Sequence, residues 1–333
     1  MGRCLKDRRI PVLVIAIAAI LIGAAASSLN GTAQRLVVAA MIQVVLVVGL
    51  FVFVGISGVL SFGHLAFAAV GGYACAIVTM DPALKELVLP TLPGPLVDLK
   101  VGTLGGIIVG AAVAAILALV VAVPLTRLSG LAAGLATFAF LAIVHTSAKA
   151  GEQFTGGASG LSGIPITTTP MVAGVAVAVV CAVAAGFEHS RMGLALRASR
   201  GDETAAESVG ISVRRQRLIA LVLSGAVMGA GGALYVAFLG VLGTETFYLT
   251  MTFLTLTMLV VGGMTSLVGA VAGAVLLSAV AEVIVRAQND SLLGFDVPAW
   301  AGLSDIVVAG VLLMVLFLRP QGLFVRSKRA PTS

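Results

Sequence analysis

Residues 101–124 read VGTLGGIIVGAAVAAILALVVAVP, a stretch without a single charged side chain. A helix needs about 20 apolar residues to cross the roughly 30 Å hydrocarbon core of a bilayer, so this stretch is long enough to span a membrane. Glycines recur four residues apart within it, at Gly102, Gly106 and Gly110. Small residues at this spacing let helices approach closely in lipid, where no hydrophobic force drives them together. The stretch therefore predicts a tightly packed transmembrane helix.

The composition of the whole chain extends this interpretation. Of its 333 residues, 59% are hydrophobic and only 10% are charged, and the mean hydropathy is +1.15. A soluble domain carries about 25% charged residues, so the composition excludes an ordinary water-soluble enzyme. The chain holds 40 glycines, well above the usual share of about 7%. This surplus of small residues favours a closely packed bundle of spans.

We predict an all-α fold, a polytopic transmembrane helix bundle of about ten spans. Spans eight and nine meet at residues 262–265 with almost no loop, so they are either two spans or one broken or re-entrant segment. Longer polar or irregular stretches lie at 81–100, 148–169, 188–216 and 287–302. The spans lie near residues 11–29, 36–55, 58–80, 101–124, 128–147, 170–187, 217–240, 249–263, 265–286 and 303–319.

The basic residues indicate which ends of the spans face the cytoplasm. A net charge of +6 and a pI of about 9.7 also suit nucleic-acid binders, so the placement of the charges decides. With ten spans and an inside N-terminus, 15 of the 20 basic residues fall at 1–10, 125–127, 188–217 and 319–333. This distribution satisfies the positive-inside rule. It predicts two cytoplasmic termini, and the charge requires no nucleic acid as a partner.

The first 28 residues allow two interpretations. They form an uncleaved first span, or a signal peptide with a basic start, an apolar stretch and small residues at 23–28. We favour the uncleaved span because many polytopic proteins begin in this way; cleavage would leave nine spans. The chain then consists of one transmembrane domain, 11–319, between basic cytoplasmic tails at 1–10 and 320–333.

Sequence motifs for catalysis and cofactor binding are absent. The chain contains no Gly-Lys dipeptide and hence no Walker A loop for ATP phosphates. It also lacks His-Glu-x-x-His and Gly-x-Ser-x-Gly motifs. Cys4, Cys75 and Cys181 lie too far apart to indicate a disulfide framework or a metal site. We expect no enzyme activity and no cofactor on this chain.

Few charged residues fall inside the predicted spans. No span carries the series of acids or bases that proton-coupled pumps use. Glu245 falls in a short outer loop, where we interpret it as a solvated carboxylate. A proton-driven carrier is therefore disfavoured, and a partner is expected to supply the energy.

The most specific segment is 193–211, GLALRASRGDETAAESVGI. Its acidic residues are typical of the start of a helix, and its alanines favour the middle of one. Its last glycine is typical of a helix C-terminus, where one residue adopts a left-handed conformation. The segment predicts a short cytoplasmic helix over 202–210, which either enters a groove on another protein or lies on the membrane surface. The residues that carry these signals are Asp202, Glu203, Ala205, Ala206 and Gly210.

This segment resembles the cytoplasmic coupling loop, or EAA loop, of bacterial ABC-importer permeases, in the form seen in the branched-chain amino acid permease family of the LivM type. It departs from the general pattern at Thr204, where an acid would precede the two alanines, and it lacks the final Leu-Pro. Other family motifs are similar and follow in the same order: 58–67 (GVLSFGHLAF) with 71–73 (GGY), 155–165 (TGGASGLSGIP), 262–269 (GGMTSLVG) and 319–324 (RPQGLF).

The resemblance implies a transport subunit of a bacterial inner-membrane importer. A second, LivH-like permease would complete the translocation path in the lipid bilayer. Two ABC ATPase subunits would use ATP on the cytoplasmic side, and an extracytoplasmic substrate-binding protein would deliver branched-chain or other small amino acids. The residues that the coupling-loop motif assigns to the ATPase contact are Arg197, Arg200, Asp202, Glu203, Ala205, Ala206 and Gly210.

Two further groups of residues are candidates for the path. In the third span, Ser61 and His64 are three positions apart and are expected to share one helix face, while glycines nearby permit close backbone approach. The alternative is that His64 serves only packing. The glycine-rich loop 156–163 forms an outer gate, meets the binding protein or is a structural turn. The path candidates are Ser61, Gly63, His64, Phe67 and Gly71, and the gate candidates are Gly156, Gly157, Ser159 and Gly160.

Three classes of function therefore remain open at the sequence level. The first is the amino-acid importer permease, whose scaffold in close variants carries urea, short amides or small organic acids. The second is a self-contained channel or ion-coupled carrier. The third is a structural membrane subunit without a path. Transport by the chain alone, without an ATPase or ATP, would indicate the second class. Unchanged uptake after bulky or opposite-charge replacements of Asp202, Glu203 and Ala206 would indicate the third.

Overall fold

The structure, a computed structural model, describes residues 2–289, 303–319 and 322–323 and is almost entirely helical there. Two strands, β1 (Leu161–Ser162) and β2 (Val241–Leu242), pair antiparallel. The helices are α1 (Gly2–Ala26), α2 (Gly31–Leu50), α3 (His64–Thr79), α4 (Pro82–Val88), α5 (Gly94–Val97), α6 (Thr103–Leu125), α7 (Gly130–Ala150), α8 (Glu152–Thr155), α9 (Pro170–His189), α10 (Arg191–Ala198), α11 (Glu203–Ser208), α12 (Val213–Leu239), α13 (Leu249–Gly262), α14 (Leu267–Asn289) and α15 (Leu303–Leu318).

The all-α membrane bundle is confirmed. Each of the ten predicted spans contains a helix, and within the described residues six helices are long and apolar enough to cross a membrane. The number of crossings stays a prediction because α13 has 14 residues, about 21 Å, which is shorter than the hydrocarbon core. The 1–10 tail continues into α1 from Gly2 onward. The 320–333 tail, apart from 322–323, and 290–302 of the polar stretch lie outside the described residues.

Three helices, α3, α6 and α12, pack backbone to backbone in the middle of the bundle. A Cβ atom added to Gly110 of α6 would lie 2.6 Å from the carbonyl oxygen of Gly71 on α3. One added to Gly71 would collide with the backbone of Gly229 on α12. Larger side chains at these crossings would therefore push the helices apart, as the recurring glycines predict.

The first helix, α1, packs along α9. A Cβ atom on Gly23 would lie 2.7 Å from the carbonyl oxygen of Pro170, and one on Gly174 would lie 2.7 Å from that of Ala19. Ala26 at the end of α1 is fully buried. The predicted first span thus has a close-fitting contact within the bundle, while its cleavage state stays a prediction.

Irregular segments separate two pairs of consecutive helices, α2 from α3 and α13 from α14. After α2 the helix widens into a π-helical segment, Phe51–Gly55, and residues 58–63 are not helical. The expectation of a third span that is helical from residue 58 is therefore wrong: Gly58 adopts a left-handed φ of +75°, which ends the preceding helix. Similarly, α13 and α14 are two helices that fold back on each other at 263–266, where Gly263 has a φ of +116°.

The loops collect at two ends of the bundle. The coupling-loop end, as we call it, contains 56–63, 190–212 and 263–266, and it is linked by contacts such as Arg200 to Gly55. The far end contains 80–102, 151–169 and 240–248; the β1 and β2 pair joins the last two, and Gln153 donates a hydrogen bond to the carbonyl oxygen of Thr91 in the first. This grouping agrees with the sidedness predicted from the basic residues, which assigns the coupling-loop end to the cytoplasm.

Candidate functional site

The coupling loop forms two short helices between α9 and α12. α10 begins after Ser190, whose hydroxyl accepts a hydrogen bond from the Gly193 N–H at 3.1 Å. α11 begins after Asp202, whose carboxylate accepts one from the Ala205 N–H at 3.0 Å. Both caps satisfy amide groups that the start of a helix leaves free. The helix predicted over 202–210 is confirmed as α11, and α10 is an additional helix that the motif did not indicate.

A left-handed glycine ends α11. Gly210 has a φ of +85°, and its N–H donates to the carbonyl oxygen of Glu207 at 2.9 Å. The next amide, of Ile211, reaches back to the carbonyl oxygen of Ala206 at 3.1 Å. These bonds satisfy carbonyls at the end of the helix and turn the chain toward α12. The predicted stop at Gly210 is therefore present.

Ion pairs hold the coupling loop against the spans. Arg217 of α12 donates to both carboxylate oxygens of Glu203, at 2.9 and 2.8 Å. Arg197 Nη2 lies 2.8 Å from Glu188 Oε1 near the end of α9. A bidentate ion pair such as that of Arg217 and Glu203 fixes the relative orientation of the two side chains as well as their distance. The loop is thus held in a defined orientation relative to α9 and α12.

The loop residues that the family motif assigned to the ATPase contact divide into two sets. Ala206 is 6% exposed and packs inward, and Arg197, Arg200 and Glu203 make contacts within the chain. The outward-facing set is extended by two apolar side chains, Leu194 at 50% and Val209 at 75% exposure. The exposed members of the motif are Arg200, Asp202, Ala205 and Gly210, so Arg200 belongs to both sets.

The path candidates lie together at the start of α3, next to the coupling-loop end. Ser61 precedes the helix, so the expectation that it shares a helix face with His64 is wrong. The two side chains nevertheless meet, with Ser61 Oγ 2.8 Å from His64 Nδ1. Both are buried, and the ring of His64 packs between Phe53 and Phe67, with centroids 5.3 and 5.9 Å away. His64 Nε2 has no hydrogen-bond partner among the described residues.

The two glycines of the path set serve close packing. A Cβ on Gly63 would lie 2.5 Å from the carbonyl oxygen of Thr137 on α7, and Gly71 touches Gly229 of α12. The main cavities of the described region are lined by other residues. One of them, a cleft of about 340 Å³, opens at the far end beside Arg35 and Thr168. In this conformation the path candidates are therefore closed off by packed helices.

The gate candidates form a compact turn at the far end. Gly156, Gly157 and Gly160 have left-handed φ angles of +70°, +59° and +69°, and a 3-10 turn, Gly157–Ser159, lies between them. A Cβ on Gly160 would collide with the carbonyl oxygen of Leu242. The turn leads directly into β1, which pairs with β2. The geometry is that of a structural turn, and a gating role stays a prediction.

A charged cluster ties the end of α7 to the loop before α13. Glu245 Oε1 lies 2.6 Å from Lys149 Nζ and 3.2 Å from His145 Nε2, and its side chain is 64% exposed, so the predicted solvated carboxylate is present and is also paired. The ring of His145 stacks on Tyr248 with a centroid distance of 3.7 Å. The hydrogen bond from Lys149 lowers the pKa of Glu245 below its usual value of 4.5, and His145 adds to this shift.

These helices and motifs match a known family. Residues 32–316 match the family described as the branched-chain amino acid transport system permease component. The chain belongs to this family. Two curated relatives, the high-affinity branched-chain amino acid transport system permease proteins LivM of Salmonella typhimurium and Escherichia coli, are each 28% identical over 317 aligned residues. The alignments cover 85% of this chain and 68% of each relative. No solved structure matches the chain.

The match defines the general role of the permease. It covers α2 through most of α15, while α1 lies before it. The resemblance read from the sequence motifs is thereby confirmed. The chain is a permease subunit of an ABC transporter, a multi-pass protein of the inner membrane that works as one component of a larger system.

Several contacts of the permease had no signal in its sequence. The partners Glu203 and Arg217 are 14 positions apart, and Arg200 and Gly55 are 145 apart. Charge alternation at helical spacing would have revealed a pair within one helix, but neither pair lies within one helix. Contacts of this kind are set by how helices pack, which the order of residues along the chain does not display.

A buried lysine organises the far end of the permease. Lys85 of α4 is fully buried and donates hydrogen bonds to the carbonyl oxygens of Leu96 and Val97, at 3.0 and 3.3 Å, and to that of Leu99. Burial lowers the pKa of Lys85. The proline-rich stretch 81–100 is therefore folded around an ammonium group, rather than being an open loop.

Proposed function

We propose that this permease, together with a second LivH-like permease, forms the translocation path of an importer for branched-chain or other small amino acids. Two ABC ATPase subunits drive the importer, and an extracytoplasmic substrate-binding protein feeds it. The observation that supports this most directly is the coupling loop. It is anchored to α9 and α12 by ion pairs and presents α11 outward at the end predicted to be cytoplasmic.

The exposed face of the loop suits docking to an ATPase. Leu194 and Val209 expose apolar surface beside the small side chain of Ala205 and the carboxylate of Asp202. A short helix with small and apolar residues on its outer face fits a groove on a partner protein. The anchors Glu203 and Arg217 then transfer the displacement of α11 to α12. ATP is used by the partner subunits, and we propose that this chain has no enzyme activity of its own.

The path itself runs past the start of α3. Ser61 and His64 supply a hydroxyl, an imidazole and non-helical backbone groups, which suit the ammonium and carboxylate groups of an amino acid. These residues are buried in the described conformation. Transport therefore requires the packed helices to separate first toward one side of the membrane and then toward the other. Rigid-body movement between two discrete arrangements is a common way for packed helices to do so.

Reconstitution tests the proposed function. We expect the complete complex in proteoliposomes to take up labelled leucine only with ATP and the binding protein, and the purified chain alone to take up none. Uptake by the chain alone, without ATPase subunits, would show a self-contained channel or carrier instead. Parallel uptake of urea, acetamide and a short organic acid tests the alternative substrates that the same scaffold suits.

A docking variant tests the role of the loop. Ala205→Trp adds a bulky side chain on the exposed face of α11, and we expect it to abolish retention of the ATPase subunits in a pull-down while the chain still inserts in the membrane. Ala132→Trp, at an exposed alanine of α7 outside the loop, is the matched control. Normal ATPase retention and uptake in Ala205→Trp would contradict docking through α11.

A further inference from the structure

Arg200 lies between α10 and α11 and is exposed, but its guanidinium contacts the end of the spans. Its Nη1 donates to the carbonyl oxygen of Gly55 at 3.2 Å, at the last residue of the π-helical segment. The stem of the same side chain covers Gly58, where an added Cβ would lie 2.7 Å from Arg200 Cγ and Nε. A residue that the family motif places near the ATPase contact is therefore engaged with the spans.

The segment that Arg200 touches is the irregular chain that leads to the path candidates. Residues 58–63 make no helical turns, and Phe62 donates its N–H to Thr137 Oγ1 on α7 at 3.1 Å. The segment is thus held by the coupling loop at its start and by α7 near its end. The next residues are His64 and the rest of α3. A non-helical segment anchored at two points changes its dihedral angles more easily than a helix does, because fewer backbone hydrogen bonds must break.

The second irregular junction, 263–266, meets the first at the same point. A Cβ on Gly55 would lie 2.6 Å from the carbonyl oxygen of Met264, so the two junctions are in direct contact. Arg197 Nη2, beside its ion pair with Glu188, lies 3.5 Å from the carbonyl oxygen of Thr265. Two arginines of the coupling loop therefore contact the backbone of the two irregular junctions between helices.

We infer that Arg200 is a positioning residue that transmits displacement of the coupling loop to residues 55–63, and thereby opens or closes the chain around Ser61 and His64. This inference rests on the proposed function, since it assigns the link between ATPase docking and the path. Arg200 then acts inside the permease and contributes little to ATPase binding. Loss of its hydrogen bond uncouples ATP hydrolysis from transport without releasing the ATPase subunits.

The test measures ATPase retention, ATP hydrolysis and substrate uptake in the reconstituted complex. Arg200→Met keeps most of the stem and removes the donor, Arg200→Lys keeps a donor, and Arg191→Gln removes an exposed arginine of α10 that has no hydrogen bond or ion pair among the described residues. Gly58→Ala displaces the Arg200 stem from the other side and imposes a side chain at a left-handed φ. Insertion and yield of each variant are measured first.

We expect Arg200→Met and Gly58→Ala to retain the ATPase subunits and to lower uptake per ATP hydrolysed by about tenfold, the size expected when a charged hydrogen bond that links two states is lost. Arg200→Lys should recover part of this ratio, and Arg191→Gln should leave it unchanged. Loss of ATPase retention in Arg200→Met would overturn the inference and make Arg200 a docking residue. An unchanged ratio in Arg200→Met would overturn it too. Neither result would affect the proposed import function, which the wild-type complex tests separately.

Discussion

At the scale of single residues, two arginines of the coupling-loop end are paired within the chain. Arg197 and Arg217 belong to the excess of basic residues at the predicted cytoplasmic side, and both form ion pairs that hold the coupling loop. Arg217 is 8% exposed, and a buried charge that loses its partner is strongly destabilising. The same arginines thus follow the positive-inside rule and position a functional loop.

The cluster at Glu245 predicts a dependence of stability on pH. Its pKa is lowered in the folded state, so its contribution is fully present above the usual value of 4.5 and is lost as the pH falls through the lowered value. We expect wild type to have a higher Tm in detergent than Glu245→Gln at about pH 6, and the difference to shrink below about pH 4. Thermal unfolding of the two proteins across this pH range checks the prediction.

A matched control separates the cluster from general charge effects. Glu86 is an exposed carboxylate of α4 at the same end of the bundle, with no ion pair among the described residues. We expect Glu86→Gln to show the same pH profile as wild type. A constant Tm difference between wild type and Glu245→Gln at all pH values would contradict a stabilising role for the ionised Glu245.

At the scale of elements, glycines determine which helices touch. The crossings of α3, α6 and α12 bring backbone atoms into contact at Gly71, Gly110 and Gly229. α1 and α9 approach in the same way at Gly23 and Gly174. Lipid provides no hydrophobic force between helices, so close packing of small residues has to stabilise these contacts.

A single methyl group at one crossing should therefore be costly. We expect Gly110→Ala to lower the free energy of unfolding by about 1–3 kcal/mol, the usual cost of overpacking a tight contact. Its added Cβ would lie 2.6 Å from the carbonyl oxygen of Gly71, which cannot move without shifting α3. Equilibrium unfolding in mixed detergent micelles measures the change.

The control for this prediction is a glycine of α9 with open space around it. A Cβ on Gly186 would meet no atom within 4 Å. We expect Gly186→Ala to be neutral or slightly stabilising because alanine favours a helix more than glycine does. Equal destabilisation by both variants would show that the cost of Gly110→Ala does not come from the close contact with Gly71.

At the scale of the whole molecule, the coupling loop and the path candidates share one end of the bundle. Arg200 and the 56–63 segment connect them over a short distance. The buried Ser61 and His64 are closed off by aromatic rings and by α7. A transporter of this design has to alternate between arrangements in which such residues are covered and exposed.

Thiol labelling tests this alternation. Ser61 is 3% exposed, so we expect Ser61→Cys to react slowly with a small maleimide in the resting complex and at least about tenfold faster during turnover, when the open state is populated. Leu194→Cys, at a position that is 50% exposed, should react quickly in the chain without its ATPase partners. Wild type, with three native cysteines, provides the background. Equal rates for Ser61→Cys at rest and during turnover would remove Ser61 from the path.

Much of the molecule could be predicted from local patterns. Apolar runs located ten helices because a span must be long and uncharged, and Asp202 with Gly210 marked the ends of α11 because caps depend on neighbouring residues only. The prediction that the third span is helical from residue 58 was wrong. The run at 58–63 is apolar enough to continue a helix, and only the backbone at Gly58, held under Arg200, shows that it does not.

The sequence by itself determined that the chain lies in a lipid bilayer, that it is helical, which family it belongs to and where its coupling loop is. These properties depend on composition, periodicity and contiguous motifs, all of which are local. Only the tertiary structure decided that Ser61 meets His64 across the start of a helix, that Glu245 is paired, and that the exposed Arg200 also contacts the spans at Gly55. Each of these contacts depends on where separate helices cross, and helix crossing is set by the summed packing of many small residues along the whole chain.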